Sequence, residues 1–204
     1  MKRIGVVGLL VVFLAACTPA ATTAWSDDFS APGSWLAESD AAAQVGVQGG
    51  VLRVFIAVPN QLAWTVAGRD LSDFHLTVEA TQVAGPDDNE YGVLARVQDN
   101  SNFYRFSISG DGYFLVSKFV DGSPEPLNGN WTPSQAIHLG QATNVVEVIA
   151  EGSTFTFIVN GEQLAQVDDG QFAHGDIGLY AGSFYEGGVE VSFDNLRVEP
   201  VTAQ

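Results

Sequence analysis

Thr154-Phe155-Thr156-Phe157-Ile158-Val159-Asn160-Gly161 is the stretch that decides the fold class. Phe155, Phe157 and Val159 alternate with Thr154, Thr156 and Ile158, the period of a strand with one face more buried than the other. Asn160-Gly161 follows at once, and both central positions of a type I′ turn need positive φ. The chain therefore folds back into a second strand over Gln163–Val167, giving a hairpin. Working outward, the same mixture of β-branched and aromatic residues between turn residues recurs. It predicts strands over Asn144–Ala150, Ile177–Ala181 and Val189–Glu199, and upstream over Val51–Val58, Leu62–Ala67, Phe74–Ala84, Tyr91–Gln98, Phe103–Ser109 and Tyr113–Val120. From Trp25 onward no amphipathic helix competes with this reading. Eleven antiparallel strands in one domain call for two stacked sheets, and no fixed-period repeat points to a propeller or solenoid.

The N-terminal residues read differently. Lys2 and Arg3 precede an apolar run from Ile4 to Ala16, which ends in Leu14-Ala15-Ala16-Cys17. Thirteen apolar residues rise about 20 Å as a helix, short of the roughly 30 Å hydrocarbon layer, so the run fits an export signal better than a membrane span. Leu-Ala-Ala-Cys resembles the bacterial lipobox, which implies cleavage before Cys17 and acylation of its thiol. Cys17 is the only cysteine, so an internal disulfide is impossible and lipidation gives the thiol a role. Two or three acyl chains, at about 0.8 kcal/mol per buried methylene, hold a protein firmly on a membrane. The expected organisation is a signal over 1–16, lipidated Cys17 with a short tether over 17–24, one domain over 25–199 and a tail over 200–204. The expected location is the outward-facing membrane surface, and the outer membrane in an organism that has one.

The 204-residue chain carries a formal charge of −16. Removal of Lys2 and Arg3 leaves six basic residues against 24 acidic ones, a charge of −18. Such a surface repels nucleic-acid phosphates and anionic lipid heads, so nucleic acid is excluded as a partner.

Several short motifs follow in order: Asp27-Asp28-Phe29, Asn102-Phe103-Tyr104-Arg105-Phe106, Asp111-Gly112-Tyr113-Phe114, Val159-Asn160-Gly161, Gly175-Asp176-Ile177-Gly178-Leu179-Tyr180 and Val191-Ser192-Phe193-Asp194-Asn195-Leu196. Together they resemble the concanavalin A-like lectin and glucanase superfamily, near its laminin G-like and 3-keto-disaccharide hydrolase-like bacterial members. The resemblance implies an all-β, antiparallel two-sheet jelly roll with adjacent terminal strands. It implies no single activity, because this fold hosts lectins, hydrolases and adhesion modules. Retaining glycosidases of the superfamily carry Glu-x-Asp-x-x-Glu or Glu-x-Asp-x-Glu on one strand, which sets the two acids on one face. Neither pattern occurs, and the histidines His75, His138 and His174 lack ligand spacing. No catalytic residue is assigned.

Candidate binding residues remain. Arg96, Arg105 and Lys118 are half of the mature chain's cations and fall on three consecutive predicted strands. A turn centred near residues 100–101 sets Arg96 opposite Arg105, and one near 110–111 makes Lys118 a diagonal neighbour. Like charges so placed repel unless a ligand lies between them, or unless acids such as Glu79 or Glu90 pair with them. Tyr113, Trp131 and Tyr185 are candidate stacking rings for a glycan. Asp87-Asp88 and the pair Asp28 and Asp194 are candidate ligands for a structural calcium ion. The leading expectation is a membrane-anchored carbohydrate-binding domain without catalysis. A glycoside or 3-keto-disaccharide hydrolase using Arg96, Arg105 and Glu90 is one alternative, and a laminin G-like adhesion module is another.

Overall fold

A computed structural model describes residues 23–201. Cys17 and the predicted signal lie outside the described residues. In chain order the strands are β1 (Trp25–Asp27), β2 (Glu38–Ser39), β3 (Ala43–Gln48), β4 (Val51–Ile56), β5 (Gln61–Val66), β6 (Phe74–Ala84), β7 (Asn89–Asp99) and β8 (Asn102–Ile108). They continue as β9 (Tyr113–Val120), β10 (Ser123–Pro126), β11 (Thr132–Pro133), β12 (Thr143–Glu151), β13 (Thr154–Val159), β14 (Glu162–Asp168), β15 (Asp176–Ser183) and β16 (Val189–Glu199). Among the described residues there is no helix.

One sheet has nine strands in the order β14-β13-β12-β6-β16-β4-β3-β2, with β1 added on β16. The other has seven in the order β10-β9-β8-β7-β15-β5, with β11 added on β9. All pairings are antiparallel, and the fold is the expected jelly-roll sandwich. The terminal strands meet, Trp25 standing opposite Val198.

Alternation explains why the sheets stack. On β13, Phe155, Phe157 and Val159 are buried while Thr154, Thr156 and Ile158 are only partly so. Asn160 has the positive φ that the turn demands. Tyr104, Phe106 and Ile108 of β8 meet the β13 rings from the opposite sheet, with Tyr104 at 4.5 Å from Phe155 and Phe106 at 5.6 Å from both Phe155 and Phe157. Burial of rings of this size dominates core energetics, and the tilted pairs add about 0.5–1.5 kcal/mol each.

A second, smaller apolar cluster lies on the opposite side of the seven-stranded sheet. It contains Leu94, Phe103 and Tyr180, with Leu62, Trp64, Val97 and Phe119 packed against them. Phe103 stacks on Phe119 at 4.7 Å and leans on Trp64 at 6.0 Å.

Candidate functional site

The strand register corrects the expected basic groove. Asp99 stands opposite Asn102, as a turn centred between 100 and 101 requires, but a bulge between Ala95 and Asp99 shifts the rest of β7. Leu94, not Arg96, is therefore the neighbour of Arg105. Arg96 takes φ +48 at the bulge and turns toward the space between the sheets. There it donates to the carbonyls of Ser72 and Phe172, sits 4.8 Å from the Phe155 ring and lies 3.5 Å from Asp73. The β8–β9 register pairs Arg105 with Ser117, so Lys118 stands beside Tyr104 on the inner face. A one-residue change of register, from Val116 to Ser117 opposite Arg105, is enough to move it there. Lys118 Nζ donates to Asp169 at 2.8 Å, and Tyr104 donates to the same carboxylate at 2.6 Å. Arg105 thus stands apart from Arg96 and Lys118, which both lie on the inner side of the sheet.

Arg105 alone belongs to the outward face of the seven-stranded sheet. Its Nη1 donates to Glu90 at 3.0 Å and its Nε to Ser117 Oγ at 3.2 Å. Tyr180 donates to Ser107 and lies 3.4 Å from Glu90. The guanidinium lies 4.9 Å from the Phe119 ring and 6.0 Å from that of Tyr180. Burial pushes the Glu90 carboxyl up, while Arg105 and Tyr180 pull it the other way. Burial also raises the Tyr180 hydroxyl well above its ordinary value. Glu90 is 4% exposed and Arg105 7%, so this network braces the face more than it offers a grip. Gly182, opposite Glu90, makes the room: a Cβ there would lie 2.6 Å from Glu90 Cγ and from Leu62 Cδ2.

At the end of this face the sheet opens into a cleft of about 240 Å³ lined by Asp88, Ser109, Asp111, Tyr113, Trp131 and Phe184. The structure thus brings together Tyr113, Trp131 and Asp88 from the sequence candidates. Trp131 meets Phe184 edge-on at 6.0 Å and 87°. Tyr113 is 39% exposed, and Tyr185, next to Phe184 in the chain, is 83% exposed but does not line the cleft. Two turns that shape the rim are bolted together. Asn89 accepts from Gly110 N at 3.1 Å and donates to Pro86 O at 2.7 Å, and Asp111 N donates to Asp87 O at 3.0 Å. Ser109 Oγ donates to Asp111 and accepts from Tyr113 N at 3.1 Å. Rings with polar acceptors between them can stack on a flat apolar face while bonding its edges. Phe184, Ser109 and Asp111 were missed as site residues. Asp111 falls in the turn expected near residues 110–111, but no local pattern shows that this turn meets Phe184.

Three of the calcium candidates accept hydrogen bonds from neighbouring N–H groups. Asp28 accepts from Ser30 N at 3.1 Å, Asp194 from Asn195 N at 2.7 Å and Asp87 from Gln82 Nε2 at 3.0 Å. The Ser30 bonds hold Asp28 below the usual carboxylate range. Among the described residues no three His, Cys, Asp or Glu side chains converge to hold a metal ion.

No family model matches the chain. A 78-residue stretch is 33% identical to a TPR repeat-containing protein of Treponema pallidum (strain Nichols), covering 38% of this chain and only 9% of that protein. Solved structures match far more of the fold. The carbohydrate binding module CBM66 from Bacillus subtilis aligns with a TM-score of 0.57 at 16% identity, over 82% of this chain and 96% of that one. A prokaryotic β-1,3-1,4-glucanase (lichenase) from a mouse hindgut metagenome aligns at 0.66 and 10% identity, over 88% and 100%. A Bacillus subtilis protein of unknown function with a galectin-like fold aligns at 0.63 and 11%, over 91% and 99%. At such identities the likeness is one of fold, and the chain is a jelly-roll β-sandwich of the kind these proteins share.

Proposed function

We propose that this chain is an exported, lipid-anchored domain that binds a glycan without cleaving it. The cleft carries the reading. Trp131, Tyr113 and Phe184 offer flat apolar surfaces for the CH-rich face of a sugar ring, and Asp88, Asp111 and Ser109 offer bonds to its hydroxyls. Its rim is held in place before a ligand arrives, which reduces the entropy lost on binding. The shared fold of a carbohydrate binding module supports the reading.

The position of the cleft agrees with an anchor at Cys17. The chain enters at Trp25, beside Val198, whose other neighbour is Leu76 near the start of β6. The cleft residue Asp88 follows the far end of β6, which ends at Ala84. The nine extended residues from Leu76 to Ala84 span roughly 30 Å, so the cleft lies at the end of the sandwich away from Trp25. A domain anchored through residues 17–24 would present it outward.

A hydrolase is the second reading, supported by the fold shared with a β-1,3-1,4-glucanase. Both readings are tested by screening the purified full chain on a glycan array and incubating it with each glycan that binds. Retention without turnover supports a binding domain. Turnover that disappears in Glu90→Gln would make it an enzyme, and no retention of any glycan while a surface protein is captured would make it an adhesion module.

A further inference from the structure

The charged side chains lining the cleft are both carboxylates, Asp88 and Asp111, and three of its six lining residues are aromatic. Among the described residues no basic side chain lines it, and the cations that might have served it are engaged elsewhere. Arg105 is sealed against Glu90, Lys118 is held by Asp169 and Arg96 lies between the sheets. A carboxylated sugar would meet two like charges there and no donor of opposite sign. An organic cation would meet the reverse. Tyr and Trp faces attract an ammonium through their quadrupoles, and carboxylates add charge-assisted hydrogen bonds. The chain's charge of −16 draws such a ligand in before contact.

We propose that the cleft takes the ammonium group of an amine-bearing, de-N-acetylated glycan. This rests on the glycan reading of the same cleft and narrows it to one sugar chemistry. Acetylation of the amine removes the charge while keeping the sugar ring, so a matched pair of ligands isolates the charge.

The test is titration of the full chain at about pH 6, where amino groups are charged, with the glucosamine dimer and with its N,N′-diacetyl form. The amine form is expected to bind about tenfold more tightly, and the preference to vanish in an Asp88→Asn/Asp111→Asn variant. Trp131→Ala, which leaves every charge in place, is expected to weaken both ligands and the amine form more, so that the preference shrinks. Equal or tighter binding of the diacetyl form overturns the proposal. So does an amine preference undiminished in Trp131→Ala, which would mark general attraction to an acidic surface, and so does no binding of either dimer. A lysine-containing peptide that binds as tightly as the amine dimer would move the site to a protein ligand. An uncharged glycan that binds through Trp131 would leave the glycan reading standing and remove only the amine.

Discussion

Arg105 reaches along the outward face of the seven-stranded sheet and donates to Glu90 at 3.0 Å, both residues being buried there. Gly92 lies between Glu90 and Leu94 on β7 and puts no side chain in the way. Removing one partner strands the other charge. Arg105→Ala is expected to cost about 3–5 kcal/mol in urea unfolding, whereas an Arg105→Met/Glu90→Leu pair recovers most of that loss.

Gly182→Ala tests the same network from the other side. Its Cβ would intrude on Glu90 Cγ and Leu62 Cδ2 at 2.6 Å each. A loss of about 1–3 kcal/mol is expected by thermal or urea unfolding, as for other overpacked sites.

Acid sensitivity should trace to Asp169. Burial alone would raise its carboxyl, but Lys118, Tyr104 and Gln171 N together bring it below the usual value. An acid depressed in the folded state stabilises above its unfolded pKa of about 3.9, and that stability is lost as pH falls through the folded value. The urea midpoint of the wild type should therefore drop more steeply below about pH 4 than that of Asp169→Asn. At neutral pH the variant should be weaker by about 1.5–3 kcal/mol, since it breaks bonds to charged groups.

The proposed anchor at Cys17 makes a cellular prediction. Cys17→Ser removes the one thiol available for acylation, and the protein should move from the membrane pellet to the soluble exported fraction. Unchanged pelleting after a high-salt wash would contradict lipidation.

Periodicity exposed most of the sandwich. The spans Phe74–Ala84, Tyr113–Val120, Thr154–Val159 and Val189–Glu199 coincide with β6, β9, β13 and β16: β6, β13 and β16 alternate clearly, and β9 is a run rich in aromatic and aliphatic residues that starts just after Gly112. β3 went unseen: Ala43–Gln48 mixes glutamines and Gly46 with two valines and carries little hydrophobic signal. The short strands β1, β2, β10 and β11 offer too few residues for a period to show. The site was harder to read. Arg96 was set opposite Arg105 by a turn placed correctly at 100–101, and nothing in Ala95-Arg96-Val97-Gln98 announces the bulge that turns it inward. Tyr113 and Trp131 were chosen as rings able to stack on a sugar. Their meeting with Phe184 depends on loops from strands far apart in sequence, which no local pattern encodes.

Calorimetric titration of the full chain and its Trp131→Ala variant with a glycan identified on the array measures the central claim most directly. Trp131 is partly exposed at the rim, so its loss should leave the melting temperature nearly unchanged. The affinity should fall by a factor of ten or more, about 1.4 kcal/mol or above. Equal affinity in the two proteins, with both fully folded, would contradict a glycan site in this cleft.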